Sequence, residues 1–170
     1  MKKAKSGNTN AFGVLYELYA ESIYRFIFLK TSNQEDTEDL VHQTFLKAWD
    51  HIPYYEERGI PFLSWLYSIA RNTVIDFYRT RKATSELSET FQSKLVSSNE
   101  LERLESHIAL QGIKKYIAEL GPIEQDALLL RYVEDLDHKA VASIIQKSES
   151  ATKVLIHRAI AKLKHKLDAS

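Results

Sequence analysis

The residues of this chain best suited to chemistry are cations and aromatic rings, and they concentrate in two places. Between positions 54 and 82, Tyr54, Tyr55, Phe62, Trp65, Tyr67 and Tyr78 are interleaved with Arg58, Arg71, Asn72, Arg79, Arg81 and Lys82. Rings stack on exposed bases while cations follow a phosphate backbone, so the mixture suits single-stranded nucleic acid. The plainer account is that most of these rings are core. It is favoured for Phe62 and Phe77, whereas Tyr54, Tyr55 and Arg58 stand in a polar loop and suit binding. The second place is the last forty residues, where Lys153, His157 and Arg158 fall at i, i+4 and i+5 of a basic helix. A short helix and a tight connection precede it, with Ala142, Ile145 and Ile156 as a small shared core. That is the pattern of a helix-turn-helix, whose second helix fits the major groove and reaches guanine O6 and N7. Ser148, Ser150 and Thr152 open the helix, where free N–H groups and hydroxyls suit a phosphate. A solvated amphipathic helix with a basic end fits the same residues, and spacing alone leaves both open.

Other chemistries find little support. The acidic run Glu35, Asp36, Glu38 and Asp39 places Glu38 and His42 at i, i+4 as a conceivable metal pair, but a solvated, dipole-favoured helix start explains it better. The 6 histidines are scattered, and none stands in a recognisable order with a nucleophile and an acid. The 5 glycines are too far apart for a phosphate-cradling loop. There is no cysteine, which excludes disulfide scaffolds, Cys-bound zinc and a thiol nucleophile. No enzyme, metal or cofactor is expected.

Helices must position the two cationic zones. Glycine and proline together make up about 5% of the 170 residues, against roughly 12% in ordinary globular chains, so breakers are few. Apolar residues recur at helical spacing in 11–30 (Val14, Leu15, Leu18, Tyr19, Ile23, Phe26, Ile27) and in 33–52 (Leu40, Val41, Phe45, Ala48, Trp49, Ile52). Ser32 to Glu35 reads as a capping box before the second of these. Pro53 ends it, and Pro61 suits the first turn of a third helix reaching Lys82, with Phe62, Leu66, Ile69, Ala70, Thr73 and Phe77 on one face. Residues 83–100 turn polar and aperiodic and read as a linker, with a weak helical turn near 91–96. Helical spacing resumes at Leu101, Leu104, Ile108, Ile113, Ile117 and Leu120, and Gly121-Pro122 breaks it. Helices over 123–134, 137–145 and 149–167 follow.

The resulting expectation is an all-α chain of two small helical domains joined by a flexible linker: a disordered tail over 1–10, a first domain over 11–82, the linker over 83–100 and a helix-turn-helix domain over 101–170. The 23 basic and 23 acidic residues cancel, which alone speaks weakly against nucleic-acid binding. The split is uneven: residues 148–170 hold 5 basic against 2 acidic. The basic N-terminus lacks the apolar segment of a signal peptide. No apolar run approaches the roughly 18–20 residues of a membrane span, and a soluble cytoplasmic protein is expected.

Two stretches resemble a known family. Glu38-Asp39-Leu40-Val41-His42-Gln43-Thr44-Phe45-Leu46-Lys47-Ala48-Trp49, then Pro61 to Asn72, Ile75-Asp76 and Tyr78-Arg79, are similar to region two of bacterial RNA polymerase sigma factors of the sigma-70 family. Leu120-Gly121-Pro122, Leu130-Arg131-Tyr132 and Lys153 with His157-Arg158-Ala159 resemble region four. Only a linker separates them, as in the small extracytoplasmic-function class. The resemblance implies that the second helix docks on the clamp coiled coil of the β′ subunit through Asp39, His42 and Gln43, where Gln-Glu is usual at the last two positions. It implies that the Tyr54–Gly59 loop and the third helix open and read the −10 element, holding one flipped non-template base. Trp65, Arg71 and Asn72 would then face DNA or support that face, and Arg79, Arg81 and Lys82 would hold phosphates. The last helix would read the −35 element through Ser148, Ser150, Thr152, Lys153, His157 and Arg158. Its turn departs from the family pattern: Gln146 stands where Gly is usual, Lys147 where an apolar residue is, Ser150 where a second Gly is, and Thr152 where Val is.

The implied partners are core RNA polymerase (β′ clamp and β flap), promoter DNA as duplex and as non-template single strand, and an anti-sigma factor of the kind that restrains small sigma factors. Two other readings stand beside this one. A stand-alone helix-turn-helix regulator with an N-terminal helical interaction domain would keep the duplex-reading helix but have no use for exposed aromatics. An all-helical adaptor or decoy would bind core polymerase without opening DNA.

Overall fold

The computed structural model describes residues 1–56, 59, 61–85, 117 and 119–168, and the chain divides into two compact units, Met1–Gln92 and Ser93–Ser170. The described residues are helices and short connections, without a strand. Most of the expected linker, with its turn at 91–96, lies outside the described residues, as do Arg58 and the stripe from Leu101 to Ile113.

In the first unit, α1 spans Lys2–Lys5, α2 Thr9–Thr31, α3 Gln34–His51 and α4 Phe62–Ser85, with a 3-10 turn at Ile52–Tyr54. α2, α3 and α4 pack pairwise. Their shared core holds Ile23, Phe26 and Ile27 from α2, Leu40, Phe45 and Ala48 from α3, and Leu66, Tyr67, Ala70 and Val74 from α4. Phe26 and Tyr67 meet edge-on at 5.5 Å. Each ring buried in this way contributes roughly 1.5–3 kcal/mol of hydrophobic stabilisation. The stripe expected on α3 does face inward. Val14 and Leu18 of α2, at 62% and 63% exposure, do not.

Three local expectations are corrected. Residues 1–10 are not a featureless tail: α1 packs on α2 and on the 3-10 turn, and Ala4 is fully buried. Gly7, at φ +82°, turns the chain from α1 into α2, and Asn8 caps α2 by accepting the Ala11 N–H at 2.9 Å. A side chain at that φ would be strained. Second, Ser32 is not the cap of α3. It closes α2 in the left-handed region at φ 56°, its N–H donating to Phe28 O, while Asn33 accepts the Asp36 N–H at 2.9 Å and caps α3. Asn is as good a cap as Ser, so two such residues in a row leave the register of the helix start open. Third, α4 runs three residues past Lys82, to Ser85, because no breaker follows Lys82.

In the second unit, α5 spans Pro122–Leu128 and continues as a π turn over Leu129–Val133. α6 spans His138–Ile145 and α7 Glu149–Asp168. Both α5 and α6 pack on α7 around Leu128, Leu130, Val141, Ile144, Ile145, Ile156 and Ala159. The expected core trio Ala142, Ile145 and Ile156 is buried. Arg131 holds the α5–α6 connection: its guanidinium donates to Leu136 O at 3.1 Å and pairs with Asp135, whose own φ is 50°.

Candidate nucleic-acid and polymerase interfaces

On α3 the polar residues at 35, 38, 39, 42 and 43 share the outer face, opposite Leu40, Val41, Thr44 and Phe45. Asp39, His42 and Gln43 are therefore together and exposed, as expected. The same face also carries Leu46, 52% exposed and one turn beyond His42 and Gln43. Leu46 stands outside the inward stripe expected from sequence but was not joined to this face; its i+4 spacing from His42 was the available signal. Glu38 and His42 are both exposed, and no group of three metal-ligating side chains gathers among the described residues.

The aromatic zone sorts into three kinds of ring. Tyr54 is 83% exposed on the 3-10 turn, in position to stack. Tyr55 and Tyr67 are core, at 7% and 0% exposure, which corrects the binding reading of Tyr55. Tyr55 turns inward because it meets Phe62 edge-on at 5.4 Å and Trp65 at 5.0 Å, with Phe62 and Trp65 5.2 Å apart. Trp65 is thus half-buried, with one side packed on this cluster. Tyr78 is partly exposed but tied down: its hydroxyl donates to Lys30 O at 2.8 Å. Burial raises its pKa, and the Asp36 carboxylate adds to the rise.

The cations of α4 sort in the same way. Arg81 donates to Asp36 at 2.7 Å and lies over the Phe77 ring at 4.9 Å, bracing the end of α4 against the start of α3. Arg81 therefore also has a structural role beside its expected one at a phosphate, its side chain being 45% exposed. Arg79 pairs with Asp76 at 3.0 Å but is 79% exposed, so the pair is weak and the guanidinium remains available. Asn72 and Lys82 are exposed, and Arg71 is half-buried. Arg58 lies outside the described residues.

In the second unit α6, a turn and α7 form the expected helix-turn-helix. Gln146 takes φ 56° and ψ 47°, its N–H reaching Ala142 O and Ser143 O, and the Lys147 N–H donates to Ala142 O at 2.9 Å. This is the left-handed helix stop that Gly usually provides, made here by Gln. Ser148 accepts the Ala151 N–H at 3.2 Å and so caps α7. Ser150, His157 and Arg158 are exposed. Lys153 is exposed and paired with Glu149 at 2.7 Å, which lowers the Glu149 pKa. Thr152 is fully buried, and its hydroxyl donates to Ser148 O at 2.9 Å, so it is a core residue and not a DNA contact. A hydroxyl can satisfy itself on the preceding turn and fill a Val-sized site, and its polar label hid that. Val154, 50% exposed beside Lys153, is a surface residue that sequence reading did not select.

Residues 15–84 match the Sigma-70 region 2 family and residues 110–163 the Sigma-70 region 4 family. The chain is 30% identical over 168 residues to the ECF RNA polymerase sigma factor BldN of Streptomyces coelicolor, covering 96% of this chain and 62% of the relative. It is 30% identical over 153 residues to the ECF RNA polymerase sigma factor SigM of Bacillus subtilis, covering 88% and 91%. The fold is similar to that of the sigma factor RpoE solved with the anti-sigma factor NepR from Bartonella quintana: TM-score 0.78, 23% identity, 94% and 98% of the two chains. It is also similar to CnrH solved with the cytosolic domain of CnrY: TM-score 0.76, 24% identity, 99% and 95% covered.

Proposed function

This chain belongs to the sigma-70 family of RNA polymerase sigma factors, in its extracytoplasmic-function group, and we propose that its two units divide the work of starting transcription. The first docks on core polymerase and opens the −10 element, and the second reads the −35 element. The chain supplies no catalytic group, and nucleotide addition belongs to the polymerase. No described helix is long and apolar enough to cross a membrane; the proposed site of action is the cytoplasm, with the polymerase.

The observation that carries this reading is the partition of exposed groups between the units. α3 offers carboxylates at its dipole-favoured start and then Asp39, His42, Gln43 and Leu46, a surface for a protein partner such as the β′ clamp. The exposed Tyr54 and the half-buried Trp65 supply stacking area near the start of α4, and Arg71, Asn72, Arg79 and Lys82 follow along the same helix. Unstacking a base costs a few kcal/mol, which stacking and a pocket can offset. The segment from Tyr54 to Gly59, with Arg58 as its cation by sequence, is the proposed holder of the flipped base. α7 presents Ser150, Lys153, His157 and Arg158, with Ser148 engaged in capping. A stand-alone regulator needs only this last surface, so the region-two match and the exposed ring argue against it. The second unit is also the proposed contact for the β flap. An anti-sigma factor is the proposed restraint, since RpoE was solved with the anti-sigma factor NepR.

Run-off transcription with purified core polymerase on a genomic fragment library tests the proposal. Discrete starts that share an upstream and a −10 sequence are expected. Association with core polymerase without start-site choice would reduce the chain to an adaptor.

A further inference from the structure

We infer that Val154 is a specificity-determining residue of α7, reading the C5-methyl group of a thymine in the upstream promoter element. The inference rests on the proposed duplex-reading role of α7. At 3.6 residues per turn, Ser150, Val154, His157 and Ala161 fall within about 60° of one another, at the centre of the exposed face. All four are exposed, and the opposite face holds Thr152, Ile156 and Ala159 in the core. The long cations stand at the flanks of that stripe, Lys153 on one side and Arg158 on the other. Lys153 is further drawn toward Glu149 by their 2.7 Å pair. On that line Ser150, Val154 and Ala161 are short, and a helix with short groups at its centre and cations at its edges can bring them to base edges while its flanks meet the phosphates on either wall of the groove.

Val154 is the apolar group on that centre line that projects beyond a β-carbon. Neither packing nor helix propensity accounts for it: it is 50% exposed, and Val is a poorer helix former than the Ala at 151 and 161. In a helix its χ1 is held to one dominant rotamer, so its two methyl groups form a rigid knob. The matching apolar feature of the major groove is the thymine methyl, which no other base carries.

The test uses holoenzyme assembled from the full chain and core polymerase. Duplexes randomised over the upstream element are selected, and each thymine of the selected sequence is then replaced singly by deoxyuridine, which removes only the methyl group. Binding is measured for the native chain and for Val154→Ala and Val154→Thr. At one thymine, loss of the methyl should weaken native binding about three- to fivefold, the worth of one buried methyl. Val154→Ala should lose a similar factor on the thymine duplex and nothing further on the uracil duplex. Val154→Thr, which keeps one methyl branch, should retain part of the methyl sensitivity. Factors that multiply at every thymine, or a selected element without a methyl-sensitive thymine, overturn the inference while leaving the sigma-factor role intact. Failure to select any upstream element overturns the reading of α7 and this inference with it. Ala favours helix more than Val does, so the variant is expected to fold, and a thermal melt checks it.

Discussion

At the scale of single residues, the structure separates groups that face outward from groups that hold others in place. Trp65 does both, packing on Tyr55 and Phe62 while remaining partly exposed. Trp65→Ala should therefore reduce promoter opening more than closed-complex binding, and Arg58→Ala should do the same. Permanganate footprinting checks this, with circular dichroism to show that the Trp65 variant is folded; unchanged strand opening in a folded protein would count against the assignment. Glu124 belongs to the holding class. Its carboxylate accepts from Lys162 at 2.6 Å and from the Gly121 N–H at 3.0 Å, joining α5 to α7. The hydrogen bond from Lys162, the larger cause, and that from Gly121 lower its pKa. The folded form thus binds the proton less readily than the unfolded chain. The stabilisation is present above the ordinary carboxylate range near 4.3 and fades as pH falls through the lowered folded value. Lys162 is 55% exposed, so Glu124→Gln should cost no more than about 1 kcal/mol at pH 7. It should also flatten the acid limb of a plot of melting temperature against pH; an unchanged limb would mean that the pair contributes nothing.

At the scale of elements, two short segments decide more than their length suggests. Gln146 holds a left-handed conformation at the turn between α6 and α7. Gln146→Gly removes a steric cost of roughly 1–2 kcal/mol and adds unfolded-state entropy of roughly 0.4–1 kcal/mol, so a net gain of about 0.5–1 kcal/mol is expected. A higher urea midpoint in the full chain, with unchanged slope, would show it. α1 is the other segment. Its Ala4 is sealed, and the Lys5 ammonium donates to Tyr55 O at 2.5 Å, at the start of the proposed base-holding loop. Ala4→Glu would bury a carboxylate with no room or partner and should cost about 1–3 kcal/mol or expel the segment. Faster amide exchange around Tyr55 and Glu56 would report that release, whereas native exchange rates would show α1 to be dispensable.

For the whole molecule, charge is the decisive quantity. With 23 basic and 23 acidic residues, no net field draws the chain to DNA. Affinity must come from local surfaces, and it should be weak for the chain alone and strong in the holoenzyme. Duplex binding measured with and without core enzyme checks this, and equal affinity in both would refute it. The double variant Lys153→Ala, Arg158→Ala should weaken upstream recognition by the holoenzyme. It should also reduce the salt dependence of binding by about one unit for each phosphate that is no longer neutralised.

Local chemistry made much of this protein legible in its residues. The 3.6-residue spacing of Leu40, Phe45 and Ala48 set the inward face of α3, while Asp39, His42 and Gln43 were singled out by the family resemblance. Pro53, Pro61 and Gly121-Pro122 marked element ends, since proline cannot continue a ladder of N–H donors. The two family regions were carried by contiguous motifs, which need no tertiary knowledge. What the residues left open was which member of a mixed polar and apolar run turns inward, because that depends on a partner distant in the chain. Tyr55 is buried because Phe62 and Trp65 wait for it across a loop, and Arg81 is a brace because Asp36, forty-five residues earlier, lies beside it. Thr152 is core and Val154 is surface, the reverse of what polarity alone suggests, because burial is set by the angle at which α7 lies on α6 and not by the side chain's own preference.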